Sequence, residues 1–394
     1  MSQIVIKRDE LLQEIIAKLD LPPTVEEKVR DRYDSLGNWF NREKCSLKNV
    51  DIFVQGSFGQ GTTIKPLNEE DDYDLDMSCK VNIVDFKLKY SQEDLMQMVK
   101  HELELYRKSV SIQAKVEEKR RCLRLYYKDE VSFHLDFVPS IPLEESNVNK
   151  YHDRLLKFYE KDDDLSLELA QLAVNIPDKE SHNYQFVDDN WHISNQRGYL
   201  LWFQNRMILN DRKVIRASIE PIPNYYKKTV LQRCIQLFKR HRDTMFSDEE
   251  MKDSKPISII ISTLAARAYE GEQDLTEAII NILERMPNYI NNYIPRIPNP
   301  VKPEEDFTDR WDTPEGKELN LEANFRSWLF QAKLDFNRLL TTDSYETAST
   351  ILKLNLSIKM DENYLIESFN FVSTKNNAVT NLPKEPPKLW GDEY

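Results

Sequence analysis

The chain has 394 residues, of which 40% are hydrophobic and 31% are charged, a composition typical of globular proteins. A chain of this length is expected to form two or three domains, or one large bilobal unit. Lys and Arg together number 54 and Asp and Glu 67, so the formal net charge is −13. This acidic balance argues against a protein that binds long nucleic acids through their phosphates, but it still allows a local basic groove.

The four cysteines, Cys45, Cys79, Cys122 and Cys234, are widely spaced and form no Cys-x-x-Cys pair. We therefore expect reduced structural thiols rather than a zinc site. The N-terminus is too highly charged for a signal peptide, and the longest apolar stretch, 256–266, is too short to cross a bilayer. These features predict a cytoplasmic protein that does not contact a membrane.

Hydrophobic periodicity predicts helices in the first fifty residues and a mixture of strands and helices up to residue 140. In chain order we predict a helix over 8–19, a helix that follows a Thr24–Glu27 capping box and runs to about residue 40, and strands over 50–54 and 74–79. A helix capped by Ser91 is then predicted to run to about residue 108, followed by strands over 111–117, 121–127 and 131–138. Long helices then dominate, at 198–209, 225–244, 256–269, 275–286 and 321–340.

An acidic run over residues 69–76 ends in Asp74-Leu75-Asp76. Taken alone, such a run usually forms a solvated loop. On a strand, however, residues two apart point to the same face, so Asp74 and Asp76 would repel each other unless a cation lies between them. A third carboxylate, Asp136, lies on the predicted strand 131–138, where the ordinary alternative is a hydrogen-bonded core residue. Three carboxylates on neighbouring strands can hold two Mg²⁺ or Mn²⁺ ions that activate a hydroxyl and stabilise a leaving pyrophosphate.

The turn Gln55-Gly56-Ser57 follows the predicted strand 50–54 and precedes a short predicted helix. Backbone N–H groups and a hydroxyl at such a turn can bind a phosphate. A lone Gly-Ser is an ordinary turn in most proteins. A Gly-Ser followed 17 residues later by Asp-x-Asp, counted from Ser57 to Asp74, and then by a strand-borne Asp indicates a nucleotide site much more strongly.

The segments QGSFGQGTTIKP, DDYDLDM and HLDFVPSIP resemble the polymerase-β-like nucleotidyltransferase superfamily. The segments GYLLWFQNRM, LQRCIQLFKRHRDTMF and KPISIIISTLAARAY resemble helices of the bacterial CD-NTases, the cGAS/DncV-like enzymes of CBASS anti-phage operons. The resemblance covers residues 50–340 or so. It implies an α+β fold in which a polymerase-β-like lobe, a mixed sheet with flanking helices, and a helical lobe enclose an active site in the cleft between them.

On this basis we predict four segments: an N-terminal helical segment (1–49), a nucleotidyltransferase core (50–142), a mainly helical lobe that completes the nucleotide cleft (143–373) and a polar, Pro-rich tail (374–394). The resemblance implies template-independent synthesis of a cyclic di- or trinucleotide second messenger from nucleoside triphosphates, with release of pyrophosphate. It implies that Asp74, Asp76 and Asp136 are catalytic ligands of Mg²⁺, with Mn²⁺ as the alternative metal.

The resemblance also implies which residues bind the nucleotide. These are Gln55, Gly56 and Ser57 in the turn, and Lys239 and Ser258 in the helical lobe, with Arg240 as the neighbouring alternative to Lys239. We expect Lys239 and Ser258 to face an open cleft.

The expected partners are purine nucleoside triphosphates and operon-encoded regulatory proteins, with no long nucleic acid, and we expect a monomer. Two other functions stay open: a linear nucleotidyltransferase acting on RNA or protein, and a nucleotide-binding regulator without catalysis. The net charge argues against a long RNA substrate, and the three aspartates argue against the regulator. The lack of a Cys/His cluster argues against the zinc-bearing, DNA-sensing insertion of animal cGAS.

Overall fold

The computed structural model describes residues 8–68, 71–128, 132–159, 163–208 and 228–370. The helices are α1 (Arg8–Leu19), α2 (Pro23–Asn41), α3 (Gly56–Gly59), α4 (Gln92–Ser109), α5 (Glu145–Phe158), α6 (Asp163–Gln171), α7 (Gln196–Met207), α8 (Val230–Met245), α9 (Ser258–Ala268), α10 (Leu275–Arg285), α11 (Pro314–Glu318), α12 (Leu321–Thr341), α13 (Tyr345–Asn355) and α14 (Glu362–Asn370). The strands are β1 (Val50–Val54), β2 (Tyr73–Val81), β3 (Glu117–Glu118), β4 (Leu123–Lys128), β5 (Ser132–Pro142), β6 (Val174–Ile176), β7 (His192–Ser194), β8 (Pro298–Asn299) and β9 (Lys302–Asp306).

A mixed sheet carries the first lobe. Its strands follow the order β1-β2-β5-β4-β3, and β6 and β7 extend it from the end of β5. Strands β2 and β5 run parallel, whereas the other neighbours run antiparallel. Side chains alternate across this sheet: Leu75 and Met77 of β2 are buried in the core, and Asp74 and Asp76 therefore point to the opposite face. The predicted α+β class, with a mixed sheet and flanking helices, is confirmed.

The two largest hydrophobic cores of the described residues divide the N-terminal helices between them. Leu11 and Ile15 of α1 pack into the core of the helical lobe. Val29 and Phe40 of α2 pack into the core beneath the sheet, where the ring of Phe40 stacks on Phe137 with centroids 5.4 Å apart. The segment 1–49 thus contributes to both cores, and the division into four segments stays a prediction.

The strand predicted over 111–117 is wrong, because this stretch forms the turn that ends α4. Ser111 has a φ of 62°, and the N–H of Ile112 donates to the carbonyl of Arg107 at 2.8 Å. Within this stretch, strand pairing is confined to Glu117, which continues to Glu118. A left-handed residue directly after a helix reverses the chain and prevents an extended start.

The capping box predicted at Thr24 is also wrong. Helix α2 begins at Pro23, and its N-cap, Pro22, makes no side-chain capping bond. Proline suits the first helical position because its missing N–H would have no partner inside the helix. The capping role predicted for Ser91 is confirmed, since Ser91 and Asp94 cap α4 reciprocally.

The predicted helix 8–19 and strand 50–54 occur with the predicted bounds, and the remaining predicted helices and strands occur with bounds shifted by a few residues. The helix predicted over 225–244 begins at Val230, and its residues 225–227 lie outside the described residues, as does the predicted tail 374–394. Among the described parts of the chain, we find no helix with the length and apolar character needed to span a membrane.

Candidate active site

The predicted carboxylates meet on one face of the sheet. The strand register places Asp76 of β2 opposite Asp136 of β5, and Asp136 opposite Arg124 of β4. Two residues earlier on the same face of these strands, Asp74 lies opposite His134. Adjacent strands are about 4.8 Å apart, so the three aspartates share one small area of this face. We call the set Asp76, Asp136 and Arg124 the catalytic rung.

The carboxylates on this face repel one another, and this repulsion contributes to a raised pKa of Asp76. Burial, followed by the charges of Asp136 and Asp74, raises the pKa of Asp76 to about 6. Asp74 itself is exposed, with 75% of its side chain accessible. Like charges held this close favour a cation between them, because the cation lowers the free energy of the ionised carboxylates.

Arg124 already holds Asp136 with two hydrogen bonds. Its Nε lies 2.6 Å from Oδ1 and its Nη2 lies 2.7 Å from Oδ2. This contact raises the pKa of Arg124 above its ordinary value. Next to the rung, the imidazole of His134 bridges two acids: Nε2 contacts Asp72, and Nδ1 lies 3.6 Å from Asp74 Oδ1. Sequence reasoning missed Arg124 because the pairing of β4 with β5 is a long-range property.

The donor chemistry of this face fits a hard divalent cation, since it offers carboxylate oxygens under mutual repulsion. As the side chains stand, no group of three or more His, Cys, Asp or Glu within the described ranges is arranged to hold a metal ion. Both oxygens of Asp136 face Arg124 instead. A metal at this face would therefore have to share Asp136 with the guanidinium or displace it.

The turn after β1 lies directly against Asp76. Gly56 has a φ of +62°, and a Cβ at this position would lie 2.0 Å from Asp76 Oδ2, so a side chain here would strain the backbone and collide with the carboxylate. The backbone N–H of Gln55 donates to the Asp76 carbonyl at 2.9 Å. Its side chain turns away toward β2, where Nε2 lies 3.4 Å from the carbonyl of Met77. Two of the three predicted turn residues, Gln55 and Gly56, thus contact Asp76 or its strand.

Helix α8 fastens the segment that follows the turn, residues 60–65. Four side chains of one helix face donate to it: Gln232 Nε2 to the Gln60 carbonyl (2.8 Å), Gln236 Nε2 to the Thr63 carbonyl (2.8 Å), Lys239 Nζ to Thr62 Oγ1 (2.9 Å) and Arg240 Nη2 to the Lys65 carbonyl. Their spacing of three and four residues puts them on one side of the helix. We call Gln232, Gln236, Lys239 and Arg240 the α8 clamp. The segment also joins the turn itself, because Ser57 Oγ and Thr63 Oγ1 lie 3.0 Å apart.

Lys239 does not face an open cleft, so this expectation is wrong. It is 4% exposed, and its amino group is bound to Thr62. Burial, together with the charge of Arg242, lowers the pKa of Lys239 from an ordinary value of 10.5 to about 7. Ser258 is half-buried at the first position of α9, and its Oγ accepts a hydrogen bond from Arg242 at 2.8 Å. The pattern of a basic helix end predicted a solvated or ligand-binding face, and packing of α8 against residues 60–65 explains the difference.

A cavity of about 280 Å³ opens beside the catalytic rung. Gly56 forms part of its wall, as does Val138, which lies two residues beyond Asp136 on the same strand. The helical lobe contributes Tyr199 of α7 and Phe307, which follows β9. The cavity thus lies between the two lobes and adjoins the Gly56 turn, which itself lies against Asp76.

Comparison with known proteins identifies the family. Residues 50–139 match the family model of the nucleotidyltransferase domain of cyclic GMP-AMP synthase DncV-like proteins. Residues 50–139 therefore form a DncV-like nucleotidyltransferase domain. The recognition of the chain as a bacterial CD-NTase, and as a nucleotidyltransferase, is confirmed.

Relatives of this DncV-like nucleotidyltransferase extend the match beyond one domain. It is 29% identical over 322 residues to a c-di-GMP synthase of Roseivirga ehrenbergii, covering 77% of this chain and 74% of that protein. It is 26% identical over 321 residues to the cyclic dinucleotide synthase CdnG of Bradyrhizobium diazoefficiens, covering 77% and 70%. The solved structure of the Bradyrhizobium diazoefficiens CD-NTase CdnG in complex with GTP has a TM-score of 0.60 at 21% identity and covers 91% of this chain and 97% of that one. That similarity shows a shared fold.

Proposed function

We propose that this DncV-like nucleotidyltransferase joins two nucleoside triphosphates, at least one of them GTP, into a cyclic dinucleotide and releases pyrophosphate. The observation that carries the proposal is the catalytic rung beside the Gly56 turn: paired carboxylates lie against a glycine turn that also lines a cavity. Two relatives that match most of the chain are named as makers of cyclic dinucleotides. The product would serve as a second messenger of anti-phage (CBASS) defence in the cytoplasm, where nucleoside triphosphates are available.

We assign Asp74, Asp76 and Asp136 as the ligands of Mg²⁺ or Mn²⁺. When bound, the metal supplies charge neutralisation and Lewis-acid activation for the attack of a ribose hydroxyl on a phosphate. Asp76 is the central ligand of the set, because both other carboxylates act on its pKa. Arg124 orients the Asp136 carboxylate and keeps a positive charge beside it.

The remaining predicted residues act on the triphosphate. Gly56 lets the turn approach Asp76, so phosphates bound at the turn lie next to the carboxylates. The α8 clamp holds the segment after the turn and limits its movement on nucleotide binding. A phosphate close to Lys239 would favour the protonated amine, since an opposite charge stabilises the charged form. Ser258 is assigned to the phosphates from the first turn of α9.

The test is incubation of the purified protein with ATP, GTP, CTP and UTP and either Mg²⁺ or Mn²⁺, followed by phosphatase treatment and mass spectrometry. We expect a guanine-containing product that resists phosphatase, because a cyclic dinucleotide has no terminal phosphate. Pyrophosphate release without such a product, or a product that needs an RNA primer, would favour a linear nucleotidyltransferase. Nucleotide binding without turnover under all conditions would favour a regulator.

A further inference from the structure

Two residues that line the cavity beside the catalytic rung carry buried acceptor atoms that no described protein group satisfies. Gln60, at the end of α3, and Gln196, at the start of α7, both line it. Gln60 is 6% exposed, and the Oε1 atoms of both residues are buried without a hydrogen-bond partner among the residues described. Such acceptors destabilise a folded protein unless something donates to them. Two of them in one cavity therefore point to a ligand that carries donors.

Other amide side chains of this cavity are already committed to the protein. The Oδ1 of Asn195 accepts from the N–H of Gly198 at 3.0 Å, and its Nδ2 donates to a backbone carbonyl of α6 at 2.7 Å. Asn299 donates to Glu305 at 2.7 Å and accepts from a backbone N–H at 3.0 Å. These asparagines shape the cavity, whereas the buried Oε1 atoms of the two glutamines accept no hydrogen bond from the described residues.

Arg121, Ser194 and Glu305 also line the cavity, and the rest of the wall offers apolar faces that suit a flat ligand. The rings of Tyr199 and Phe307 have centroids 6.2 Å apart, and the Tyr199 hydroxyl is paired with Thr263 Oγ1 at 2.9 Å, so its ring serves for packing. Ile259 adds an aliphatic surface. Burial lowers the pKa of His192 to about 4, so this wall residue is neutral at physiological pH. Aromatic and aliphatic walls around a few polar atoms are typical of a nucleobase pocket.

We propose that this cavity holds the purine base of a bound nucleotide and that Gln60 and Gln196 select guanine. The inference rests on the proposed function and assigns its base specificity to named residues. Guanine presents two neighbouring donors, N1–H and the N2 amino group, which match two acceptors. Adenine presents one donor, the N6 amino group, beside an acceptor nitrogen, and phosphate oxygens only accept. A site with buried acceptors rejects a ligand that lacks the matching donors.

The test measures binding of non-hydrolysable GTP, ITP and ATP analogues to the full-length protein by isothermal titration. Hypoxanthine, the base of ITP, lacks the N2 amino group of guanine and otherwise keeps its edge. We expect the wild-type protein to bind the GTP analogue about tenfold more tightly than the ITP analogue, the effect of one lost hydrogen bond in a buried site. The ATP analogue should bind more weakly than both, because it also lacks the N1–H donor.

Three variants and one control show which glutamine is responsible for the guanine preference. Gln60→Met and Gln196→Met keep side-chain length and remove the acceptor, so each should weaken GTP-analogue binding about tenfold, and in one of them the GTP/ITP ratio should fall to about one. Gln196→Glu keeps acceptor oxygens and should preserve the guanine preference. Gln171→Met, an exposed glutamine at the end of α6, is the matched control and should bind like wild type.

Several results would overturn the assignment: equal wild-type affinity for the GTP and ITP analogues, a guanine preference that survives both Met variants, or equal losses for all three analogues, which indicate a structural role. Formation of a cyclic product without base preference would overturn this inference and leave the proposed function standing. Failure of the folded wild-type protein to bind any nucleotide would overturn both. Circular dichroism of each variant confirms that it is folded.

Discussion

The catalytic rung and the α8 clamp differ in how far their charged side chains are exposed and in what those side chains contact. On the sheet, Asp76 and Asp136 are half-buried and Asp74 is exposed, so their charges remain accessible to a ligand. On α8, Lys239 and Arg240 are at least 95% buried and donate to the segment after the turn. One side of the site thus leaves its charges accessible, while the other uses polar and charged groups to set the shape of the segment after the turn.

The largest effect should come from the rung. Asp76→Asn removes the carboxylate whose pKa both other carboxylates raise, and we expect turnover to fall at least about 10³-fold, roughly 4 kcal/mol of transition-state stabilisation. The melting temperature should stay equal or rise, because the substitution removes a repulsion. Product formation measured by mass spectrometry and thermal unfolding test both statements.

The matched control for Asp76→Asn is Asp51→Asn on β1, an acid of the same sheet that pairs with Lys80 instead. It should leave turnover unchanged. Near wild-type turnover in Asp76→Asn would remove this carboxylate from the site and abolish the contrast between the two regions.

The next largest effect should come from Lys239, one of the two charged members of the clamp. A charge-assisted hydrogen bond contributes roughly 1.5–3 kcal/mol, so Lys239→Met, which removes the donor to Thr62 and loosens the segment after the turn, should raise the apparent nucleotide KM by about 10-fold and by at most about 150-fold. Steady-state kinetics with varied GTP measures this change. If KM is unchanged in Lys239→Met and rises in Arg240→Met, the contact lies one residue further along α8.

The neutral members of the clamp should matter less. Gln236→Met removes a donor from the buried Thr63 carbonyl, and we expect the KM to rise about fivefold, the effect of about 1 kcal/mol in the position of the segment. The kcat should change less than the KM, because the reacting carboxylates are untouched. A fall in kcat as large as in Asp76→Asn would show that the clamp is part of the chemistry rather than a support for it.

The smallest effect should be a pH dependence of stability. Lys239 has a pKa of about 7 in the folded protein against 10.5 ordinarily, so between these values the unfolded chain binds more protons and wild-type stability rises with pH. Lys239→Met lacks this slope. Its stability relative to wild type should therefore be highest near pH 7 and decline toward pH 10.

Thermal unfolding of both proteins at pH 7, 8 and 9 measures this slope, with a shift of about 1–2 °C for each kcal/mol in a chain of 394 residues. Parallel melting curves over the whole range would show that Lys239 titrates normally. In that case the burial of Lys239 would not affect its charge, and the contrast between the buried charges of the clamp and the accessible charges of the sheet would fail.

Sequence reasoning succeeded where structure depends on neighbours along the chain. The predicted strand 50–54 and helix 8–19 have the bounds found in the structure, because alternation and helical periodicity are local. The same alternation put Asp74 and Asp76 on one face of β2. It failed at Ser111 and Thr24, where a left-handed residue and a proline replaced the expected pattern.

The amino-acid sequence by itself determined the resemblance to nucleotidyltransferases and the α+β class, and it singled out three aspartates that the structure brings to one face of the sheet, because each of these signals lies in a short segment of the chain. Only the tertiary structure decided that Arg124 holds Asp136, that α8 clamps the turn segment and that Gln60 and Gln196 share a cavity. Gln232 and Gln60, for example, are 172 positions apart and meet through packing of one lobe on the other. Strand register and helix docking are set by burial of side chains across the whole molecule, which no local pattern encodes.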